Sequence, residues 1–561
     1  MKLQSFLILS YVLGAAASSI QNPPKRCSGN TANTRQKWCD YDIHTDYNEV
    51  VPNTGVTREY WLSLNEVTVS PDGVARSAMA VNGSIPGPTI FADWGDNVIV
   101  HVTNNLTTSH NGTSVHWHGM RQNYTNQNDG VTAITQCPTA PGSSYTYRWR
   151  AVQYGSSWYH AHIGLQAWEG VFGGINIAGP ASANYDVDLG LMFLNDWSHQ
   201  TVDELYHHAE TVGPPTLDNG LINGTNVWNA TANSTVTGSR YTRRATKGKS
   251  YRIRLVNAAI DTHWKFMIDN HLLTVIAIDL VPIKPYTTDF VDIAMGQRYD
   301  VIVTANQHKV AKNFWIRAIP QTACSENLSV NNIKGIFHYD SNIRAPTTKP
   351  YIFVDGCVDE DLKKLVPVVP KTVEAADWQA LTDVTIAKNS NNLFKWYLNS
   401  TSLDVEWSDP TLLQVYNGVT DFSNSSGVIE VPNPNEWVYL LINTTLPIPH
   451  PVHLHGHDFF VLGQGTGSWD GTVNTANPPR RDTALLPASG HLLIAFVTDN
   501  PGTWLMHCHI GWHTAEGFAL QWVERYNEIK RLVDPNAMDQ NCAAWNKYDA
   551  QFNVQQEDSG V

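Results

Sequence analysis

His507-Cys508-His509-Ile510-Gly511-Trp512-His513 places a cysteine between two histidines, with a third histidine five residues further on. One thiolate with imidazoles is the donor set of a blue-copper electron-transfer site. In an extended segment alternate side chains point to opposite faces, so Cys508 faces one way while His507 and His509 face the other. Such a strand would hold one metal on one side and a second metal group behind it, joined by the cysteine's own backbone. A blue-copper site alone needs no flanking pair.

Partners for these donors lie elsewhere in the chain. His116-Trp117-His118-Gly119 and His160-Ala161-His162 each offer two imidazoles at a spacing of two, and His450-Pro451-Val452-His453-Leu454-His455-Gly456-His457 offers four more. A lone His-x-His is an ordinary strand face; four such motifs together, one built around a cysteine, are a metal site. Leaving His457 aside, ten histidines and one thiolate suit four copper ions: two histidines with the cysteine for one, eight histidines for a cluster of three. Structural zinc is the weaker reading, because closed zinc sites favour two or more cysteines.

Outward from these motifs the chain reads as strands. Val98-Ile99-Val100-His101-Val102 is β-branched and bounded by Gly95-Asp96 and Asn104-Asn105, and similar short runs recur between turn residues. Helical patterns are scarce; Thr201 to Ala209 is a short candidate. A threefold repeat is visible: Gly95 to Asn104 precedes His116, Gly248 to Asn257 precedes His263, and Glu436 to Asn443 precedes His450. The middle copy has His263 and His271 but no His-x-His, so it is expected to bind no copper. The expected fold is all-β, three cupredoxin-like Greek-key β-barrels in series. The expected divisions are a signal peptide over 1–18, an arm over 19–50, and domains over 51–180, 181–345 and 346–561, the cluster lying between the first and the third.

With 561 residues the chain is too long for one core. Its net charge of −14, without a basic run, argues against nucleic acid or an anionic membrane as partner. The apolar run from Phe6 to Ala17 is too short to span a bilayer and reads as a secretory signal. Seven cysteines leave an even six once Cys508 is set aside, which in a secreted chain suggests three disulfides among fifteen possible pairings. Sequons at Asn82, Asn105, Asn111, Asn223, Asn399 and Asn443 agree with an extracellular glycoprotein.

The four histidine motifs, with Gly87-Pro88-Thr89-Ile90, Trp94-Gly95-Asp96, Gln153 to His160, Leu221-Ile222-Asn223-Gly224 and Pro478 to Thr483, resemble the multicopper oxidases and, among them, the laccases of ascomycete fungi. The resemblance implies pairing of Cys27 with Cys39, Cys137 with Cys542 and Cys324 with Cys357. It implies type 1 copper on His450, Cys508 and His513, and type 2 copper on His116 and His453. The type 3 pair then falls to His118, His160 and His509 on one ion and His162, His455 and His507 on the other. Phe518 stands where the family's axial residue falls, which predicts a raised potential because Phe cannot donate to the metal. Asp261 matches a carboxylate that takes the phenolic proton, and His513 is the expected point of electron entry. Asp96 matches a proton-relay carboxylate near type 2 copper, while Gly511 stands where some relatives carry a second acid. The ending Asp558-Ser559-Gly560-Val561 resembles a processed carboxyl terminus that plugs a channel. The implied activity is one-electron oxidation of phenols coupled to four-electron reduction of O₂, by a secreted monomer. Ascorbate oxidase, ferroxidase and a copper electron-transfer protein are the alternatives.

Overall fold

The three repeat strands, Asn97–Asn104, Ser250–Asn257 and Trp437–Thr444, occupy the same place in three sheets. Each runs parallel to an earlier strand (Thr57–Val69, Val187–Trp197, Trp378–Lys388) and antiparallel to a later one (Ser144–Arg150, Arg298–Thr304, Gly490–Val497). The structure is a computed structural model and describes residues 27–229 and 235–561. The expected signal peptide lies outside the described residues.

At the end of each repeat strand a side chain closes the turn. Asn104 Oδ1 accepts from Leu106 N and Asn257 Oδ1 from Ala259 N, both at 2.9 Å. In the third copy the closing residue is Thr444, not Asn443: its hydroxyl accepts from Leu446 N at 3.1 Å. Short polar side chains bond nearby backbone in this way and end a ladder.

After each turn the chain enters a second sheet. Val115–Trp117 pairs with Gly155–Ala161, Trp264–Ile268 with Asn313–Pro320, and His450–Leu454 with Gly502–Cys508, all antiparallel. The first barrel joins two four-stranded sheets; the second and third each join a six-stranded and a five-stranded sheet. Residues 339–377 form a long connection before the third barrel begins at Trp378.

The described helices are few. The candidate at Thr201 is real, over Val202–Thr211, and opens with a capping box between Thr201 and Glu204. The long helix Pro535–Phe552 is not among the sequence-based expectations. It starts at an Asp534 cap with Pro535 in its first turn, and buries Met538, Asn541, Cys542 and Trp545 at i, i+3, i+4 and i+7. All three disulfides form as the resemblance implied, Cys137–Cys542 tying this helix to the first barrel, and Cys508 alone is free. The tail folds inward: Val561 is buried with Val131, Ala133, Ile134 and Leu505, and Trp407 Nε1 donates to Gly560 O at 3.1 Å. Among the described residues, no helix is long and apolar enough to cross a membrane.

Candidate metal centre and adjoining pocket

Strand parity sorts the histidines. In the third barrel His453 stands opposite His507, and Val452 opposite Cys508. His453, His455, His507 and His509 therefore gather on one face, while Cys508 turns to the other, toward His450 and His513. In the first barrel His116 stands opposite His160, and His118 and His162 follow on the same face.

The two histidine faces meet head to tail. His116 lies against His455 with ring centres 4.0 Å apart, and His118 against His453 at 3.9 Å. His160 faces His509 at 5.6 Å and His162 faces His507 at 5.2 Å. Exchanging 116 with 453, 118 with 455, 160 with 507 and 162 with 509 maps each contact onto another, so a local two-fold relates the barrels here. None of the eight is more than 5% exposed.

Backbone bonding settles which ring nitrogen faces inward. The Nδ1–H groups of His116, His160, His453 and His507 donate to carbonyls of Asp129 (2.8 Å), Ala161 (2.9 Å), Asp482 (2.7 Å) and Cys508 (2.8 Å). A neutral imidazole that donates through Nδ1 keeps its lone pair on Nε2, the form a metal needs. The Nε2 atoms of His116, His162, His453, His455, His507 and His509 are buried without a hydrogen-bond partner. Buried polar atoms in native proteins are nearly always bonded, so six orphans converging on one space mark a place for metal. Burial first, then repulsion among the rings, holds His118, His160, His162, His453, His455 and His509 well below the usual imidazole range, which keeps them neutral.

Two carboxylates touch this cluster, and neither is Asp96. Asp129 Oδ2 accepts from His455 Nδ1 at 2.8 Å, and Asp482 Oδ1 faces His118 Nε2 at 3.2 Å. The two are partners under the same two-fold, since each also holds the Nδ1 of its own barrel's first cluster histidine by its backbone oxygen. Burial pushes the Asp482 carboxyl up to about 6. Asp96, expected beside the cluster, is instead held by Thr54 (2.6 Å), by Arg58 (2.8 Å) and by the Asp93 amide (3.0 Å), where it closes the turn into the first repeat strand. His457 and His101 are also separate, paired with the carboxylates of Glu524 (3.0 Å) and Glu59 (2.8 Å).

The second donor group is His450, Cys508 and His513. Cys508 Sγ lies 3.9 Å from His450 Nδ1 and 3.6 Å from His513 Nδ1, and these two nitrogens are 3.2 Å apart. Burial pushes the Cys508 thiol far up, so a metal bound there would have to draw off its proton. Phe518 packs its ring 5.0 Å from that of His450 and nearly parallel to that of His513. Trp396, which no sequence motif singles out, covers His513 at 4.1 Å and donates its Nε1–H to the buried Glu516 at 2.9 Å.

His513 and Asp261 line one cavity of about 310 Å³, with Pro214, Met295, Ile448 and Glu326 among its walls. Asp261 is presented by a loop that Asp196 caps, accepting from the backbone nitrogens of Ile260, Asp261 and Thr262 at 2.9 to 3.0 Å. Burial, with Asp196 and Glu516 nearby, raises the Asp261 carboxyl well above the usual range.

Family profiles described as multicopper oxidase match residues 63–182, 189–342 and 389–528. Laccase-2 of Botryotinia fuckeliana is 46% identical over 95% of this chain and 93% of its own length, and the Neurospora crassa laccase is 42% identical over 92% and 87%. The crystal structure of laccase from Botrytis aclada is similar with a TM-score of 0.91 at 46% identity, covering 95% of this chain and 100% of that one. Fet3p, described as a multicopper oxidase that functions in iron import, has a TM-score of 0.76 at 26% identity, covering 90% of this chain and 97% of its own.

Proposed function

This chain belongs to the multicopper oxidase family and, within it, to the laccases; on that premise we propose that it holds four copper ions and oxidises phenols at the expense of O₂. The observation that carries the copper assignment is the set of orphaned Nε2 atoms converging from two barrels, beside a free buried cysteine between two imidazoles. His450, Cys508 and His513 would hold type 1 copper, and His116 and His453 type 2. His118, His160 and His509, with His162, His455 and His507, would hold the type 3 pair. When bound, the coppers supply one-electron steps and the store of four electrons that reduction of O₂ to two waters requires.

The chain's residues do the rest. The apolar pocket walls bind the aromatic ring next to His513, and Asp261 accepts the phenolic proton, which makes the electron easier to remove. Cys508 joins that side to the cluster: its carbonyl accepts from His507 Nδ1, so one bonded segment spans both donor groups. Asp129 replaces Asp96 as the carboxylate placed to pass protons at the cluster. Phe518 packs against His450 and His513 without offering a donor atom and so would favour the reduced ion. Residues 51–180, 181–345 and 346–561 act as three domains, the middle one without copper. The buried Asp558–Val561 segment serves as a plug. We read the protein as a secreted monomer, without nucleic acid or membrane partners.

The test is a steady-state comparison of a dimethoxyphenol, ascorbate and Fe(II), with copper content and oxygen uptake measured together. Four ions per chain and preferred turnover of the phenol support the reading. One ion without oxygen uptake would make it a copper carrier. Preference for Fe(II) or ascorbate would move it to a ferroxidase or an ascorbate oxidase.

A further inference from the structure

The middle barrel contributes no donor to the histidine cluster, yet its segment Ala294 to Arg298 reaches it. Gly296 lies so close to His509 that a Cβ there would meet the imidazole Cδ2 at 2.6 Å. Gln297 Nε2 donates to Thr483 O at 3.2 Å. Arg298 is fully buried and divides its guanidinium among all three barrels. Its Nε donates to Ser156 O at 3.3 Å and its Nη1 to Gly296 O at 3.1 Å. Its two terminal nitrogens grip Asp482 Oδ1 and Oδ2 at 2.6 and 2.5 Å. Asp482 in turn faces His118 Nε2 at 3.2 Å and holds His453 Nδ1 by its backbone oxygen.

We propose that Arg298 is a positioning residue for the metal cluster: by fixing Asp482 it turns His118 so that Nδ1 is the atom offered inward. The local two-fold supplies an internal comparison. His455, the partner of His118, bonds Asp129 through Nδ1 and leaves Nε2 to the cluster. His118 does the reverse, with Nε2 on Asp482 and Nδ1 facing His160 Nε2 at 3.4 Å. The two aspartates also differ. Among the described residues the ion pairs of Asp129 are with His116 and His455, whereas Asp482 has a bidentate arginine. That arginine comes from the barrel that has no counterpart across the two-fold. A buried carboxylate stripped of its cation is strongly disfavoured, so Asp482 would turn away, and His118 would lose its fixed acceptor. Lysine brings the charge but not the planar fork, so it restores the arrangement only in part.

The test uses the full-length, copper-loaded protein with Arg298→Leu and Arg298→Lys. Arg317→Lys serves as a matched control, because Arg317 makes a comparable bidentate pair with Asp269 (2.6 and 2.8 Å) in the same barrel. The readouts are the near-ultraviolet absorption of the type 3 pair, to which His118 is assigned, copper per chain and the type 1 visible band. Arg298→Leu should weaken the type 3 absorption and lower cluster copper affinity or oxygen turnover by about 10- to 100-fold, the usual effect of losing an outer-shell partner. Arg298→Lys should fall between, with the type 1 band kept in both and Arg317→Lys matching the wild type. Wild-type type 3 absorption and copper content in Arg298→Leu, or the same change in Arg317→Lys, overturns the proposal. Should the leucine variant fail to accumulate, Arg298→Lys decides alone, and an unaltered spectrum there is the overturning result. The proposal rests on the copper assignment above; that assignment fails if the wild-type protein lacks four coppers, and this one fails if it has them and the variants do not differ.

Discussion

Asp129→Ala removes the carboxylate that His455 Nδ1 reaches at 2.8 Å, while the backbone oxygen that holds His116 stays in place. One imidazole loses its acceptor and the other keeps it. A hydrogen bond to a charged group contributes about 1.5–3 kcal/mol, or roughly 10- to 150-fold in an equilibrium constant. The expected result is a loss of that size in copper affinity at the histidine cluster. Asp129→Asn keeps an acceptor without the charge, and its loss of about 1 kcal/mol corresponds to roughly fivefold. The assay is copper retained per chain against a graded chelator, read beside oxygen uptake and the type 1 visible band. None of the contacts made by Asp129 is to His450, Cys508 or His513, so the band should survive in both variants. Retention of cluster copper and oxygen uptake within about twofold of wild type in Asp129→Ala would refute the reasoning, and so would parallel loss of the type 1 band.

Asp261→Asn should slow phenol oxidation by ~10²-fold, the lower end for a positioned base, while a non-phenolic electron donor changes little; equal losses for both would remove Asp261 from proton transfer. Phe518→Met gives up a little core volume but brings a thioether beside His450 and His513, so the type 1 midpoint potential should fall in a redox titration. Stability should decline from about pH 6.5 to 8, a range in which the histidines that burial keeps neutral in the folded chain are neutral in the unfolded chain too. Burial raises Glu516 to about 8, Glu169 to about 7 and Asp558 to about 6, so the folded chain holds protons that the unfolded chain has released, and their contribution is lost as pH rises through those values. A melting temperature that is flat or rising across that interval would contradict this assignment.

Residues governed by local periodicity are legible in the chain itself. The alternation at His507, Cys508 and His509 separates the two metal faces, and Thr201 with Glu204 marks a helix start. What escapes such reading are residues whose roles depend on contacts between barrels. Asp129 and Asp482 stand 13 and 29 residues after the histidines they hold, and no spacing rule says which carboxylate a second barrel will meet. Asp96 misleads for the same reason: it sits in a distinctive motif, but the partners that decide its role are Arg58 and Thr54 in the preceding segment. The helix Pro535–Phe552 is obscured because Asn541 occupies a core-facing position and interrupts the apolar stripe.

On the proposed copper assignment, the local two-fold also explains why electrons would have a single point of entry. Strand register carries the positions of Cys508, His450 and His513 in the third barrel onto the first, since Val115 pairs with Ala161 as Val452 pairs with Cys508. Ala161 thus stands for Cys508, Thr113 for His450, Gln166 for His513 and Val171 for Phe518. The backbone agrees, with Ala161 N donating to Val171 O at 2.9 Å as Cys508 N donates to Phe518 O at 3.1 Å. Where the third barrel presents thiolate and imidazoles, the first has a hydrogen bond from Thr113 to Gln166 at 2.5 Å. Both barrels can therefore hold the shared cluster, because the His-x-His faces are duplicated, but only one has a thiolate behind its face. The cavity holding His513 and Asp261 lies on that side, and the middle barrel supplies both Asp261 and Arg298 to the same half of the pseudo-symmetric pair. The middle barrel adds to that inequality, lining the His513 cavity with Asp261 and clamping Asp482 with Arg298 on the same side.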